Sequence, residues 1–144
     1  MMTMRDMSER RVREFLLEGT RTGKLATVRE DGRPHVVPIW FILRDGHIVF
    51  NTSETSVKAR NLSRDPRAAL SVDDQTPPYS FVTVEGTVSL SADDPDLKEI
   101  ATEIGGRYMG RERAEEFGER NAVPGELVVR LSMNEVISAE DVAD

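Results

Sequence analysis

The chain has 144 residues, 38% of them hydrophobic, enough for one domain with a core of ordinary size. It has no cysteine, which excludes disulfides, thiolate chemistry and cysteine-based metal sites. The formal net charge of -7 argues against nucleic acid as the main partner, and no run approaches the roughly 20 apolar residues of a membrane helix. The N-terminus also lacks the apolar stretch of a secretory signal, so the expectation is a cytoplasmic protein. One domain is expected over residues 1–144, with a helix within 1–18 and a tail over 139–144.

Residues 4–18 read as a helix, with Val12, Phe15 and Leu16 on one face and charges on the other. Strands follow at 25–29, 34–43 and 47–52. They are joined by Asp31-Gly32 and Asp45-Gly46, dipeptides suited to the positive φ of tight hairpins. Residues 56–65 read as a short helix that Pro66 stops. Next come a strand at 67–73, a polar proline-rich loop at 74–78, and a long strand at 79–90. In that strand Val82, Val84, Val88 and Leu90 share a face, and Gly86 marks a bulge or a close backbone approach. Residues 93–108 read as a helix capped by Asp93 or Asp94, weakened at its end by Gly105-Gly106. A further helical piece at 111–120 and a last strand at 126–132 complete the chain. Six short strands with two or three helices predict a mainly β protein, a closed or nearly closed antiparallel barrel with helical decoration.

The strand at 34–43 is apolar on both faces, with Val36, Pro38, Trp40 and Ile42 on one and Val37, Ile39, Phe41 and Leu43 on the other. One face can line the barrel; the other needs a helix, a partner chain or a flat ligand. With so few helices available, a homodimer is the expectation.

Residues 51–61 hold the densest candidate chemistry. A strand end supplies Asn51, Thr52 and Ser53. A turn then opens a helix whose first N–H groups attract anions, and Lys58 and Asn61 stand three apart on one helix face. Two readings stand side by side: a capped helix with solvated basic residues, or a phosphate-binding corner.

Other positions are weaker. His35 and His47 are the two histidines, and neither has ligand spacing, so no metal site is expected. His47 reads as a solvated strand-start residue, His35 as either a hydrogen-bonded barrel residue or a cofactor contact. Trp40 reads as core, interface or a ring-stacking platform. Arg107, Arg111 and Arg113 read as a solvated helix face, or as a reach toward an anionic cofactor tail. No Walker loop, Rossmann fingerprint or nucleophile elbow is present.

The run Leu25-Ala26-Thr27, Asp31-Gly32-Arg33-Pro34-His35, Asn51-Thr52, Lys58, Asn61-Leu62, Asp65-Pro66-Arg67-Ala68 and Val84-Glu85-Gly86 resembles the pyridoxamine 5′-phosphate oxidase-like family. Its members are flavin- and deazaflavin-binding split barrels. The resemblance implies a six-stranded antiparallel split β-barrel of the FMN-binding type. It also implies a homodimer with cofactor sites at the subunit interface and a small-molecule substrate. Thr52, Ser53, Ser56 and Lys58 would hold the phosphate, with Asn51 and Asn61 beside them. His35, Val36, Val37, Pro38 and Trp40 would lie along the ring, and Tyr79 would close the site.

The chain departs from the flavin-oxidase branch at Val57, where that branch has an arginine, and at Leu131-Ser132-Met133-Asn134, where its substrate motif is missing. The wording around Lys58-Ala59-Arg60-Asn61-Leu62 is more similar to the short branch that uses the deazaflavin coenzyme F420. The expectation is an F420-dependent oxidoreductase that moves a hydride between the cofactor and an unsaturated small molecule. The alternatives are an FMN-dependent enzyme of the same fold, or a non-catalytic carrier of a flavin, a deazaflavin or haem. No catalytic residue is assigned from the sequence.

Overall fold

The computed structural model describes residues 6–144. The expected helix start at Met4 lies outside the described residues. Within them the first helix, α1 (Glu9–Leu17), begins after Ser8, whose hydroxyl accepts from the Arg11 N–H as an N-cap. The remaining elements are β1 (Gly23–Val28), β2 (Pro34–Ile39), β3 (Ile42–Arg44), β4 (His47–Ser53), α2 (Val57–Arg64), β5 (Arg67–Asp74) and β6 (Ser80–Ala92). After these come α3 (Leu97–Met109), a 3-10 turn at Arg111–Arg113, α4 (Ala114–Asn121), β7 (Glu126–Ser132) and β8 (Glu135–Ala139). No helix among the described residues is long and apolar enough to cross a membrane.

The strands form one antiparallel sheet in the order β2-β1-β5-β6-β7-β4-β3, with β8 beside β6. It is mainly β with helices, as expected. The strands among the described residues number eight where six were expected, and the sheet stays open between β2 and β3. Both Asp-Gly turns form. Asp45 and Gly46 take φ of 51° and 74°, the pair of positive values that a two-residue hairpin requires.

The thirteen residues of β6 explain how one sheet becomes a split barrel. Residues 80–87 pair with β5, and residues 88–92 pair with β7. β8 resumes along the edge that β7 leaves, pairing with Phe81 to Glu85. The exchange falls at Gly86, against the carbonyl of Ser132. There the Ser132 hydroxyl accepts from the Thr87 N–H at 3.1 Å and donates to the Thr87 carbonyl at 3.0 Å, standing in for ladder bonds.

The expected strand at 34–43 breaks at Trp40 and Phe41. Its two halves lie in different parts of the sheet, and α3 supplies the hydrogen bonds that a ladder would. The Tyr108 hydroxyl accepts from the Phe41 N–H at 3.3 Å, and Arg107 donates to the Phe41 carbonyl at 2.7 Å. Arg107 also donates to the carbonyls of Leu16 and Gly19. It is therefore a clamp between α1, the strand break and α3, which corrects both readings weighed for it. Arg113 pairs with Glu116, and Arg111 is exposed.

Two apolar clusters follow from this layout. Phe15, Leu16, Leu25, Phe41, Phe50, Leu70, Val82 and Leu131 fill the barrel, with α1 closing one end. Ile42, Val49 and Val128 face outward and are covered by Ile100 and Ile104 of α3. That second cluster explains why both faces of β4 and β7 are apolar.

Asp94 does not cap α3; the helix begins three residues later, after Asp96. Instead Asp94 accepts from Arg130 of β7 at 2.8 Å. The Arg130 guanidinium, followed by the Asp96 N–H and Ser91, brings its carboxyl down to about 2 from 3.8. A folded value below the unfolded one stabilises the protein at higher pH, and the contribution fades as pH falls from about 4 to about 2. Asp94→Asn is expected to cost on the order of 1–2 kcal/mol at pH 7 and much less at pH 2. Urea midpoints of the two proteins at both pH values check this; an equal gap at both would contradict it.

Candidate functional site

The residues of the 51–61 corner are brought together by β4 and α2. Ser56 is the N-cap of α2, and its hydroxyl accepts from the Ala59 N–H at 3.1 Å. Thr52 is buried and donates to the Ser56 hydroxyl at 3.0 Å. The Ser53 hydroxyl accepts from the Thr55 N–H at 3.2 Å. Capping is thus realised in full, and the Thr52 and Ser56 hydroxyls are largely occupied by it. The first-turn N–H groups of Val57 and Lys58 have no carbonyl of their own helix to meet, as at any helix start.

Lys58 is half-buried and forms no salt bridge or hydrogen bond among the described residues. Burial pushes its ammonium below the usual lysine range, and the nearby Glu126 carboxylate opposes that shift. Asn61 has a different surrounding. It is buried, its amide donates to the Thr27 hydroxyl at 3.0 Å, and its carbonyl oxygen faces Arg64. It ties α2 to β1 and stands apart from Lys58.

Lys58 lines a cavity of about 360 Å³ with Pro38, Ile39, Trp40, Asn51, Thr52, Ser53, Ile104, Asn121 and Glu126. Six of the sequence-derived candidates therefore share one site: Pro38, Trp40, Asn51, Thr52, Ser53 and Lys58. The Trp40 indole stacks on Tyr108, ring centroids 5.1 Å apart at 4°, and meets Phe117 at a tilt of 59°. It is both a wall of the cavity and an anchor for α3 and α4. Val36 is 63% exposed on the outer face of β2, and Val37 packs toward the core. His35 stands opposite Thr27 on β1, and its Nδ1 is buried without a hydrogen-bond partner among the described residues. Tyr79, at φ +68° and exposed, does not line this cavity within one chain.

Sequence reasoning missed Ile39, Ile104, Asn121 and Glu126. Glu126 comes to the site because β7 pairs with β4 in the register Ser53 opposite Glu126. Its carboxylate accepts from the Asn51 amide at 2.8 Å. A second groove, about 450 Å³, lies on the other side of α2 between Arg29, Arg33, Arg60 and Arg64. Of these, Arg33 is paired with Asp31 and Arg64 donates to the Val28 carbonyl, while Arg29 Nε is buried without a hydrogen-bond partner among the described residues. The first hairpin thus adds Arg29 and Arg33 to Arg60 and Arg64 of α2.

The donor set of the cavity has a definite chemical sense. One wall is apolar and aromatic, and the polar end holds the Lys58 ammonium, without a salt bridge among the described residues, together with the Glu126 carboxylate. Its size lies in the range of small-molecule sites, roughly 300–1,000 Å³. That arrangement fits a flat ring with an anionic tail. Among the described residues no cluster of histidine and carboxylate side chains is able to hold a metal ion.

Residues 8–138 match the family model of pyridoxamine 5′-phosphate oxidase. A conserved hypothetical protein of Mycobacterium tuberculosis is similar in structure with a TM-score of 0.81 at 30% identity, covering 94% of this chain and 86% of that one. A protein described as an F420 reductase is similar at 26% identity and a TM-score of 0.68, covering 86% and 94%. An FAD-binding protein of Mesorhizobium loti shares the fold at 22% identity and a TM-score of 0.70, with 96% of each chain covered. With the family model spanning nearly all of the chain and the split sheet in place, this protein belongs to the pyridoxamine 5′-phosphate oxidase family.

Proposed function

We propose that this protein binds coenzyme F420 in the Lys58 cavity and is an oxidoreductase acting on an unsaturated small molecule. The observation that carries the reading is the half-buried Lys58, free of any salt bridge among the described residues, in a cavity walled on one side by Pro38, Ile39 and Trp40. Lys58, the Ser53 hydroxyl and the first N–H groups of α2 hold the phosphate. Pro38, Ile39 and Trp40 hold the ring system and keep water from it. When bound, the cofactor supplies the hydride, and the protein supplies position and electrostatics. Val57, in place of an arginine, leaves the corner with one fewer cation than the flavin-oxidase branch, which favours the deazaflavin over FMN.

The exposed outer face of β2, with Val36 and Pro38, is covered by a second copy of the chain, and Tyr79 reaches the site from there. Protein made in a host with FMN but no deazaflavin is expected to emerge colourless and dimeric, and to take up F420 on addition. Stoichiometric yellow FMN retained through purification would overturn the choice of cofactor.

A further inference from the structure

Ser53 and Glu126 are direct cross-strand neighbours, so their side chains leave the same face of the sheet with Cβ atoms roughly 5 Å apart. The Asn51 amide fixes the Glu126 carboxylate there. Lys58 and Glu126 are the two ionisable side chains lining the cavity, one of each sign, and they do not bond each other. The local formal charge is therefore zero. Any phosphate held by Lys58 also meets the field of Glu126.

This has a consequence for which phosphate the site accepts. A phosphomonoester such as FMN carries close to two negative charges at pH 7.5, since its second proton leaves near pH 6. A phosphodiester, as in F420, carries one. Moving a second charge out of water is costly, and a cation alone would offset that cost by attracting the dianion twice as strongly. A cation balanced by a fixed carboxylate gives no such return. We infer that Glu126 is a selectivity residue, making the cavity prefer a singly charged phosphodiester over a doubly charged phosphomonoester.

The inference rests on the cofactor-site reading above, and the test separates the two. FMN and its monomethyl phosphate ester share one ring and differ by one charge. Titrations followed by ring fluorescence, or by displacement of F420, give both dissociation constants. Wild type is expected to bind the ester at least as tightly as FMN. Glu126→Gln keeps an oxygen for the Asn51 amide and removes the charge. It is expected to bind FMN about tenfold more tightly and the ester about threefold, since the attraction scales with ligand charge. Glu126→Asp, which keeps the charge, is expected to retain the wild-type ratio and guards against a folding defect in the first variant. An FMN-to-ester ratio unmoved in Glu126→Gln, with F420 still bound, would overturn the inference alone. Wild type that binds neither F420 nor either flavin would overturn the cofactor-site reading and the inference with it.

Discussion

Gly86→Ala is expected to destabilise the fold by about 3 kcal/mol, at the upper end of the cost of overpacking a tight site. A Cβ at this position would overlap the Ser132 carbonyl oxygen and lie 2.9 Å from its carbon. Both atoms are backbone, so no side chain can swing aside. Relief requires parting β6 from the end of β7, where the Ser132 hydroxyl bonds Thr87 in both directions. This is the point at which β6 changes partners, so the damage reaches both halves of the sheet. Gly32→Ala is the control. Gly32 has φ +87° but open space around it, so it should lose about 1 kcal/mol from backbone strain alone. Urea denaturation of the three proteins checks the order. Equal losses for the two variants would mean that conformation, and not close approach, is what position 86 requires.

The second large effect is on binding. Lys58→Ala is expected to weaken cofactor affinity about 100-fold, the usual scale for truncating one side of a desolvated charge pair. Without ligand the variant should unfold within about 0.5 kcal/mol of wild type. Its ammonium is desolvated and forms no salt bridge to lose. The combination distinguishes a ligand-holding lysine from a structural one: affinity falls and stability does not. Isothermal titration together with a thermal melt measures both quantities. A dissociation constant within twofold of wild type would remove Lys58 from the site.

Much of this fold was legible in the sequence because its signals are local. The Asp-Gly hairpins, the period-two strands and the Asp65-Pro66 stop each depend on neighbouring residues, and each appears where expected. Gly86 was readable as a close approach for the same reason. What escaped depends on distant partners. Gly105-Gly106 read as weakening the end of a helix over 93–108, and α3 does run to Met109, but the packing role of the two glycines was not readable. The glycines make room for α4, whose Phe117 Cβ would lie 2.5 Å from a Cβ at position 105. The long strand at 34–43 broke because Arg107 and Tyr108, some 66 residues later, satisfy its backbone. β8 was missed because its outward residues, Val136 and Ile137, remain exposed and give no clean alternation.

The candidate site divides in the same way. Pro38, Trp40, Asn51, Thr52, Ser53 and Lys58 come from two adjoining stretches, and the cavity unites them. Glu126 and Asn121 arrive through strand pairing and helix packing that no spacing announces. Asn61 shares a helix with Lys58, but the buried Thr27 hydroxyl claims its amide. Helical periodicity cannot distinguish a residue facing a ligand from one facing the sheet.

In the function proposed above, the cavity beside Lys58 binds a deazaflavin. Equilibrium fluorescence titration of the purified wild-type protein with F420 tests it most directly. Saturable binding at one cofactor per chain, lost in proportion to the Lys58→Ala substitution, is the predicted result. No binding at cofactor concentrations up to the millimolar range would contradict it.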